Sequence, residues 1–443
     1  MKSVSSWGRL SQDPHHVLSC ADRFALPHWM QQIQHAARPA LAYGMGRSYG
    51  DVCLNPHGTL CPTTGLDKFI DFDPQTGWLT AEAGVLLQDI QHTMTPKGWM
   101  LPVTPGTQFV TLGGAIANDV HGKNHHVMGT FGEHVQGLHL WRTDGSSMVL
   151  QRGDHDEWLQ ATIGAMGLTG IISQATIALR PVQSAWLDVQ TLPYQNLDGF
   201  FELADASEAE WEYTVSWVDC LSGRNVRGIF MRANHPSAES VQAAGLNEAA
   251  PPTAKRRVPF VPPFSLINGL SLRAFNQAYY QANRMRQGRQ WQHYQPFFYP
   301  LDHVLDWNRI YGPRGFYQYQ CVVPREGARD SVQALMDVIA KDGQGSFLAV
   351  LKTFGARASA GLLSFPMPGV TLALDFPNLG EKTLTLQNAL DAVVRAAGGR
   401  LYGAKDARMS RDMFEAGYPQ LPQFLKFRDP GLSSAMSRRL MGS

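Results

Sequence analysis

The sequence predicts a globular protein of mixed helices and strands in two domains, and three observations carry that expectation. Glycine is dense through residues 1–180, where short apolar runs alternate with turns. Near residue 186 the texture changes to fewer glycines, more aromatics and longer helical and strand patterns, and glycine and charge return near residue 400. The chain's 443 residues suffice for a large core, and 44% hydrophobic with 17% charged residues is an ordinary globular balance.

Along the chain, Ala40–Tyr43 reads as a short strand feeding a glycine turn at Gly44–Gly50. Trp78–Ala83 reads as a second strand. A helix of about ten residues follows, with Val85, Leu86, Ile90 and Met94 on its apolar face and Pro96 and Gly98 stopping it. Glu157–Ile163 reads as a short helix, and residues 171–179 as an edge strand with Ile171, Ala175, Ile177 and Leu179 on one side. Residues 250–300 stand apart. Pro251, Pro252 and Pro259–Pro263 interrupt regular structure there, and Lys255, Arg256, Arg257, Arg273, Arg284, Arg286 and Arg289 alternate with aromatics from Phe260 to Tyr299. This is either a surface excursion with a solvated basic face or a flap that meets a lipid surface. In Phe365–Pro377, Leu372, Leu374 and Phe376 alternate with Thr371, Ala373 and Asp375. A helix near 382–397 ends at Gly398-Gly399, before a strand-like Arg400–Ala404 and the polar Lys405-Asp406.

A formal net charge of +1 lacks the field of a nucleic-acid binder. Five scattered cysteines without a C-x-x-C pair suggest neither a disulfide framework nor a zinc site, and a reducing compartment is expected. The first residues hold no apolar core of signal-peptide length, and no run approaches the ~18–20 apolar residues that cross a bilayer. His121, His125, His126, His134 and His139 lack a metal-ligand spacing, so no metal is expected. Neither a G-x-S-x-G elbow nor a Walker lysine loop is present.

The turn at 44–50 has the spacing G-x-G-x-x-x-G, near a dinucleotide fingerprint. A Rossmann unit needs a helix starting at that turn; Pro56 and Gly58 prevent one of any length, so a phosphate-wrapping loop is the better reading. Two further stretches, Leu101–Asn124 and Gly164–Ile172, pack small residues and hydroxyls where a chain can approach a flat ring or diphosphate. Three such contacts across about 130 residues suit an extended dinucleotide better than a lone phosphate.

The strings GMGRSYGD, LPVTPGTQFVTLGGAIANDVHGKNHH and LYGAKDARM resemble flavoproteins of the vanillyl-alcohol oxidase class, and within it most the decaprenylphosphoryl-ribose 2′-oxidases. The resemblance implies an α+β fold. An FAD-binding domain spans residues 1–185, residues 400–443 return to it, and residues 186–399 insert a substrate-binding domain with an antiparallel sheet. It implies FAD contacts from Gly44, Met45, Gly46, Arg47, Ser48, Tyr49 and Gly50. Further contacts come from Pro105, Gly106, Thr107, Thr111, Gly113, Gly114, Asn118, His121, Gly122, Gly129 and Thr130, and from Gly167, Thr169, Gly170, Ile172 and Tyr402. Many members attach the flavin through a histidine of the first loop; Arg47 stands there in this chain, so noncovalent FAD is expected. Oxidising an alcohol places negative charge at the accepting end of the ring, and Lys405 is the expected fixed cation there. His121 and Tyr49 join it as catalytic candidates. Lys123, Gln320, Lys352 and Ala373 match substrate-pocket positions. Ala373 replaces a pocket cysteine of mycobacterial members, and Thr371 a neighbouring asparagine, departures that leave the exact sugar open.

The implied activity is oxidation at C2 of a lipid-linked sugar phosphate, a polyprenyl-phosphoryl pentose, with a partner reductase completing epimerisation. A cytoplasmic location, peripheral at the inner membrane through residues 250–300, goes with that substrate. Two alternatives stand beside it: a sugar-alcohol or aldonolactone oxidase handing electrons to oxygen, and a nonenzymatic flavin sensor. Lys123, Lys352 and the basic aromatic segment favour the phosphate-bearing lipid.

Overall fold

The computed structural model describes residues 1–246 and 256–442. Pro251, Pro252 and Lys255 lie outside the described residues.

The first 180 residues build two sheets. In a four-stranded sheet the order is Lys2–Val4, Asp13–Val17, Thr59–Pro62 and Ala40–Tyr43, the first pair antiparallel and the rest parallel. A five-stranded antiparallel sheet orders Phe69–Asp73, Trp78–Glu82, Ile171–Ala178, Val135–Trp141 and Ser147–Gln151. Ile171–Ala178 is thus the central strand and not an edge. Ile172, Ala175 and Ile177 pack with Leu79, Ala81, Leu138 and Leu140 in one core. Ile171, expected on their side, packs in a separate core with Trp29 and Ala40 because the strand bulges between Ile172 and Gln174. The neighbours that make the strand central come from far away in sequence. The helix after Trp78–Glu82 runs Leu87–Met94, so Val85 and Leu86 precede it; a 3₁₀ turn Thr95–Lys97 follows and stops at a left-handed Gly98.

An eight-stranded antiparallel sheet follows, ordered Gly288–His293, Trp186–Tyr194, Gly228–Asn234, Tyr213–Val218, Val350–Phe354, Gly369–Pro377, Phe316–Pro324 and Arg400–Leu401. Side chains alternate across a strand, so parity assigns each residue a face. Val370, Leu372, Leu374 and Phe376 share a core with Leu335 and Ile339 of helix Ala328–Asp342 and Leu386 and Leu390 of helix Glu381–Ala396. Thr371 and Ala373 point to the opposite face, as do Gln318, Gln320, Val350 and Lys352 on the flanking strands. One face is covered by helices; the other is the floor of a cavity.

Most of the described part of residues 250–300 is regular structure rather than an excursion. Gly269–Met285 is helical, Gly288–His293 is a sheet edge, and Tyr294, Phe297, Phe298 and Tyr299 are buried. After Leu401 the chain returns to the first sheet, where Ala40 N–H donates to Gly431 at 2.8 Å and Leu432 bridges Ala40. Arg439 pairs there with Asp51 at 2.8 Å and Asp406 at 2.9 Å, tying down the loop that carries Lys405. Among the described residues no helix is long and apolar enough to cross a membrane.

Candidate active site

A cavity of about 730 Å³ lies over the bare face of the eight-stranded sheet, within the ~300–1,000 Å³ usual for ligand sites. All three glycine-rich stretches reach it, together with Gln318, Gln320, Lys352, Thr371, Ala373, Tyr402 and Lys405.

The turn after Ala40–Tyr43 is built by glycine. Gly46 has φ +60°, and a Cβ there would sit 2.2 Å from the Tyr43 hydroxyl; at Gly44 it would sit 2.5 Å from Thr111 Oγ1. Only a single 3₁₀ turn, Asp51–Cys53, follows, in keeping with the rejection of a Rossmann unit. Among the described residues none of the five N–H groups from Gly44 to Ser48 donates to a protein acceptor. Such a run of free donors along one wall suits the oxygens of a diphosphate. Asn118 Oδ1 is also buried without a hydrogen-bond partner, while its amide donates to Gly114 at 2.9 Å. Gly106 has no heavy atom within 4 Å of its Cβ position, leaving the backbone approachable. These features fit an extended dinucleotide cofactor.

Of the residues expected at the cofactor, Gly50, Gly129, Thr130 and Thr169 do not line the cavity. Each serves the frame. Gly50 lets Asp406 pass, since a Cβ would meet its carbonyl oxygen at 1.6 Å. Gly129 turns the chain at φ +67°, and Thr130 caps the next turn with Glu133. The Thr169 hydroxyl donates to Thr162 at 3.1 Å. In sequence, framing glycines and threonines look the same as lining ones.

Three lysines face the cavity. Lys123 Nζ donates to the Phe297 and Phe298 carbonyls at 2.8 and 3.0 Å. Lys352 Nζ donates to the Gly122 carbonyl at 2.7 Å and lies 2.8 Å from His121 Nδ1. Lys405 Nζ sits 4.1 Å above the Tyr49 ring. Among the described residues their contacts are carbonyls, an imidazole and ring faces, with no carboxylate in ion-pair contact. Burial drops Lys123 to about 7 and Lys405 to about 8, with Asp375 resisting the fall at Lys405. Burial, then the charges of Lys123 and Lys405, push Lys352 well below its ordinary value.

His121 is held between Lys352 and Gln320, whose Nε2 lies 3.0 Å from His121 Nε2. Burial and then Lys352 depress its pKa well below the usual value, so the ring is neutral. Both ring nitrogens are engaged by protein, which makes His121 a brace for Lys352 and Gln320. Tyr402 stacks on Phe365 at 4.6 Å and donates its hydroxyl to the Asn118 carbonyl at 2.8 Å.

Sequence reasoning missed Asp375 and Gln318. Asp375 is buried, accepts from Gln318 Nε2 at 2.7 Å, and is raised to about 7 by burial, against the pull of Gln318 and Lys405. Both residues share the face of Thr371 and Gln320, so strand parity was the available signal. Four more lining residues were missed: Trp7, on which the expected Arg47 stacks at 4.2 Å, and Asp302, Phe297 and Arg286.

A family profile described as an FAD binding domain matches residues 14–151. The decaprenylphosphoryl-β-D-ribose oxidase of Mycolicibacterium smegmatis is 34% identical over 99% of this chain and 97% of its own length. The chain belongs to the decaprenylphosphoryl-β-D-ribose oxidase family. An uncharacterized protein of Streptomyces coelicolor, from the mprA 5′ region, is 31% identical over 80% of the chain and 100% of its own length. The L-gulonolactone oxidase of Scyliorhinus torazame is a distant relative, 27% identical over 31% of each chain. As a member of the decaprenylphosphoryl-β-D-ribose oxidase family, the protein is an FAD-dependent oxidoreductase acting on CH–OH groups.

Proposed function

We propose that the protein oxidises the C2 hydroxyl of a polyprenyl-phosphoryl pentose to a ketone, the first half of an epimerisation that a partner reductase completes. The observation that supports this most is the cavity's lining: the buried Lys123 and Lys405 have, among the described residues, no carboxylate in ion-pair contact, and such a site is stabilised by anions. A diphosphate and a substrate phosphodiester would supply those anions. A neutral polyol or lactone would leave the lysines uncompensated, which disfavours the aldonolactone reading.

On this reading the first two sheets and residues 400–443 form the FAD domain, and the eight-stranded sheet forms most of a substrate domain. Bound FAD would supply the hydride acceptor for the alcohol carbon. The free N–H groups of Gly44–Ser48 would hold its diphosphate, and Lys405 would place positive charge where negative charge develops. Lys123 binds the substrate phosphate, its third N–H being free for that bond. Lys352, pushed toward the amine and braced by His121, receives the hydroxyl proton. Gln320, Thr371 and Ala373 form the sugar floor.

Anaerobic addition of farnesyl-phosphoryl ribose should bleach the flavin spectrum in one turnover, whereas sorbitol or gulonolactone at equal concentration should leave it unchanged; bleaching by the polyol alone would overturn the proposal. With Arg47 in the first loop, the cofactor is held without a covalent bond. Acid precipitation should leave the yellow chromophore in the supernatant.

A further inference from the structure

Charge is distributed unevenly along this chain. It has 38 Lys and Arg and 37 Asp and Glu, yet between residues 249 and 301 there is no acidic residue. Six arginines stand in the described part of that span: Arg256, Arg257, Arg273, Arg284, Arg286 and Arg289, all exposed. Among the described residues, carboxylate partners are found for Arg257 and Arg289 alone, Asp306 and Asp188. The same stretch concentrates apolar exposure. Of the 15 large hydrophobics exposed among the described residues, seven fall between Phe260 and Trp291. Phe260 and Phe264 are 66% and 68% exposed, and Leu270 and Met285 exceed 80%.

These side chains stand on a fixed frame. Helix Gly269–Met285 buries Leu272, Asn276 and Tyr280 on one stripe; exposed Leu270 and Met285 stand opposite, and exposed Arg273 and Arg284 flank the buried stripe beside Tyr280. The loop with Phe260 and Phe264 is pinned by Arg309, which donates to the Val258 and Pro259 carbonyls at 2.9 and 3.1 Å, and by Leu266 N–H on Ile310 at 2.9 Å. Exposed aromatics and aliphatics ringed by cations, with no anion among them, match a headgroup layer of negative charge. The inward side of the segment, at Tyr279, Asn283 and Arg286, lines the cavity.

We infer that the face formed by the 258–267 loop and the outer stripe of helix Gly269–Met285 docks on an anionic lipid bilayer, with the cavity opening beside it. The inference rests on the lipid-linked substrate proposed above: a polyprenyl chain stays in the bilayer while its sugar enters the cavity.

The test is sedimentation of the FAD-loaded protein with vesicles of phosphatidylcholine, alone or with phosphatidylglycerol at about 30 mol%. Binding to the anionic vesicles should be at least ~10-fold tighter and should weaken with salt. Arg273→Glu/Arg284→Glu and Phe260→Ser/Phe264→Ser should each lose most of it, while turnover of water-soluble farnesyl-phosphoryl ribose stays at the unsubstituted rate. Equal, weak binding to both vesicles, or full binding by both variants, overturns the docking face. If vesicles fail to bind while the soluble analogue is oxidised, only the docking inference falls. If vesicles bind as expected and the analogue does not bleach the flavin, docking stands and the substrate reading falls.

Discussion

Lys405→Ala is expected to lower substrate-driven flavin reduction by at least ~10³-fold while leaving FAD bound, because the loss of one preorganised donor at developing charge costs ~10²–10³ and here a full charge goes with it. Lys405 is positioned independently of any ligand. Its N–H bonds the Tyr402 carbonyl at 3.0 Å, Tyr49 N–H bonds the Ala404 carbonyl at 3.3 Å, and its ammonium rests 4.1 Å over the Tyr49 ring. None of these is among the groups proposed to hold the diphosphate, so the alanine variant should purify yellow. Stopped-flow reduction by farnesyl-phosphoryl ribose, with FAD content read from the visible spectrum, separates the two roles. A colourless variant would mean that Lys405 binds cofactor, and unchanged reduction would exclude it from the chemistry.

Much of this site was legible from the sequence. The turn at Gly44–Gly50 could be read because its glycines meet a local steric need, and Gly46 at φ +60° satisfies it. The alternation of Leu372, Leu374 and Phe376 with Thr371, Ala373 and Asp375 gave the parity that the sheet obeys. What failed was whatever depended on distant partners. Ile171–Ala178 looked like an edge because nothing near it in sequence announces two neighbouring strands. Thr169 and Thr130 looked like ligand residues because a hydroxyl that bonds Thr162 or caps a turn resembles one that faces a cofactor. Asp375 was seen as a strand residue and no more. Its meaning comes from Lys405, Gln318 and Tyr311, which other segments bring to it.

That buried carboxylate makes a prediction with opposite signs for stability and activity. Asp375 in the folded protein titrates at about 7, above its ordinary 3.8, chiefly because burial penalises its charge. A raised carboxylate favours folding only while protonated, so its cost appears as pH rises through 3.8 and is complete above about 7. Asp375→Asn removes that cost and can still accept from Gln318. The variant should therefore be more stable than the unsubstituted protein at pH 8, by up to ~4 kcal/mol less the support that Lys405 loses. The gain should vanish near pH 4, as thermal melts at the two pH values would show. Activity should move the other way. Asp375 is the charge that resists the fall of Lys405, which stands at about 8; without it the ammonium is lost at lower pH. The high-pH limb of kcat should shift down by on the order of one unit, since an opposite charge nearby is worth ~1–3. A residue that only packed the sheet would alter stability without moving that limb. A charge retained at a cost to folding is what an electrostatic catalyst requires, and the two measurements together distinguish it from a buried accident.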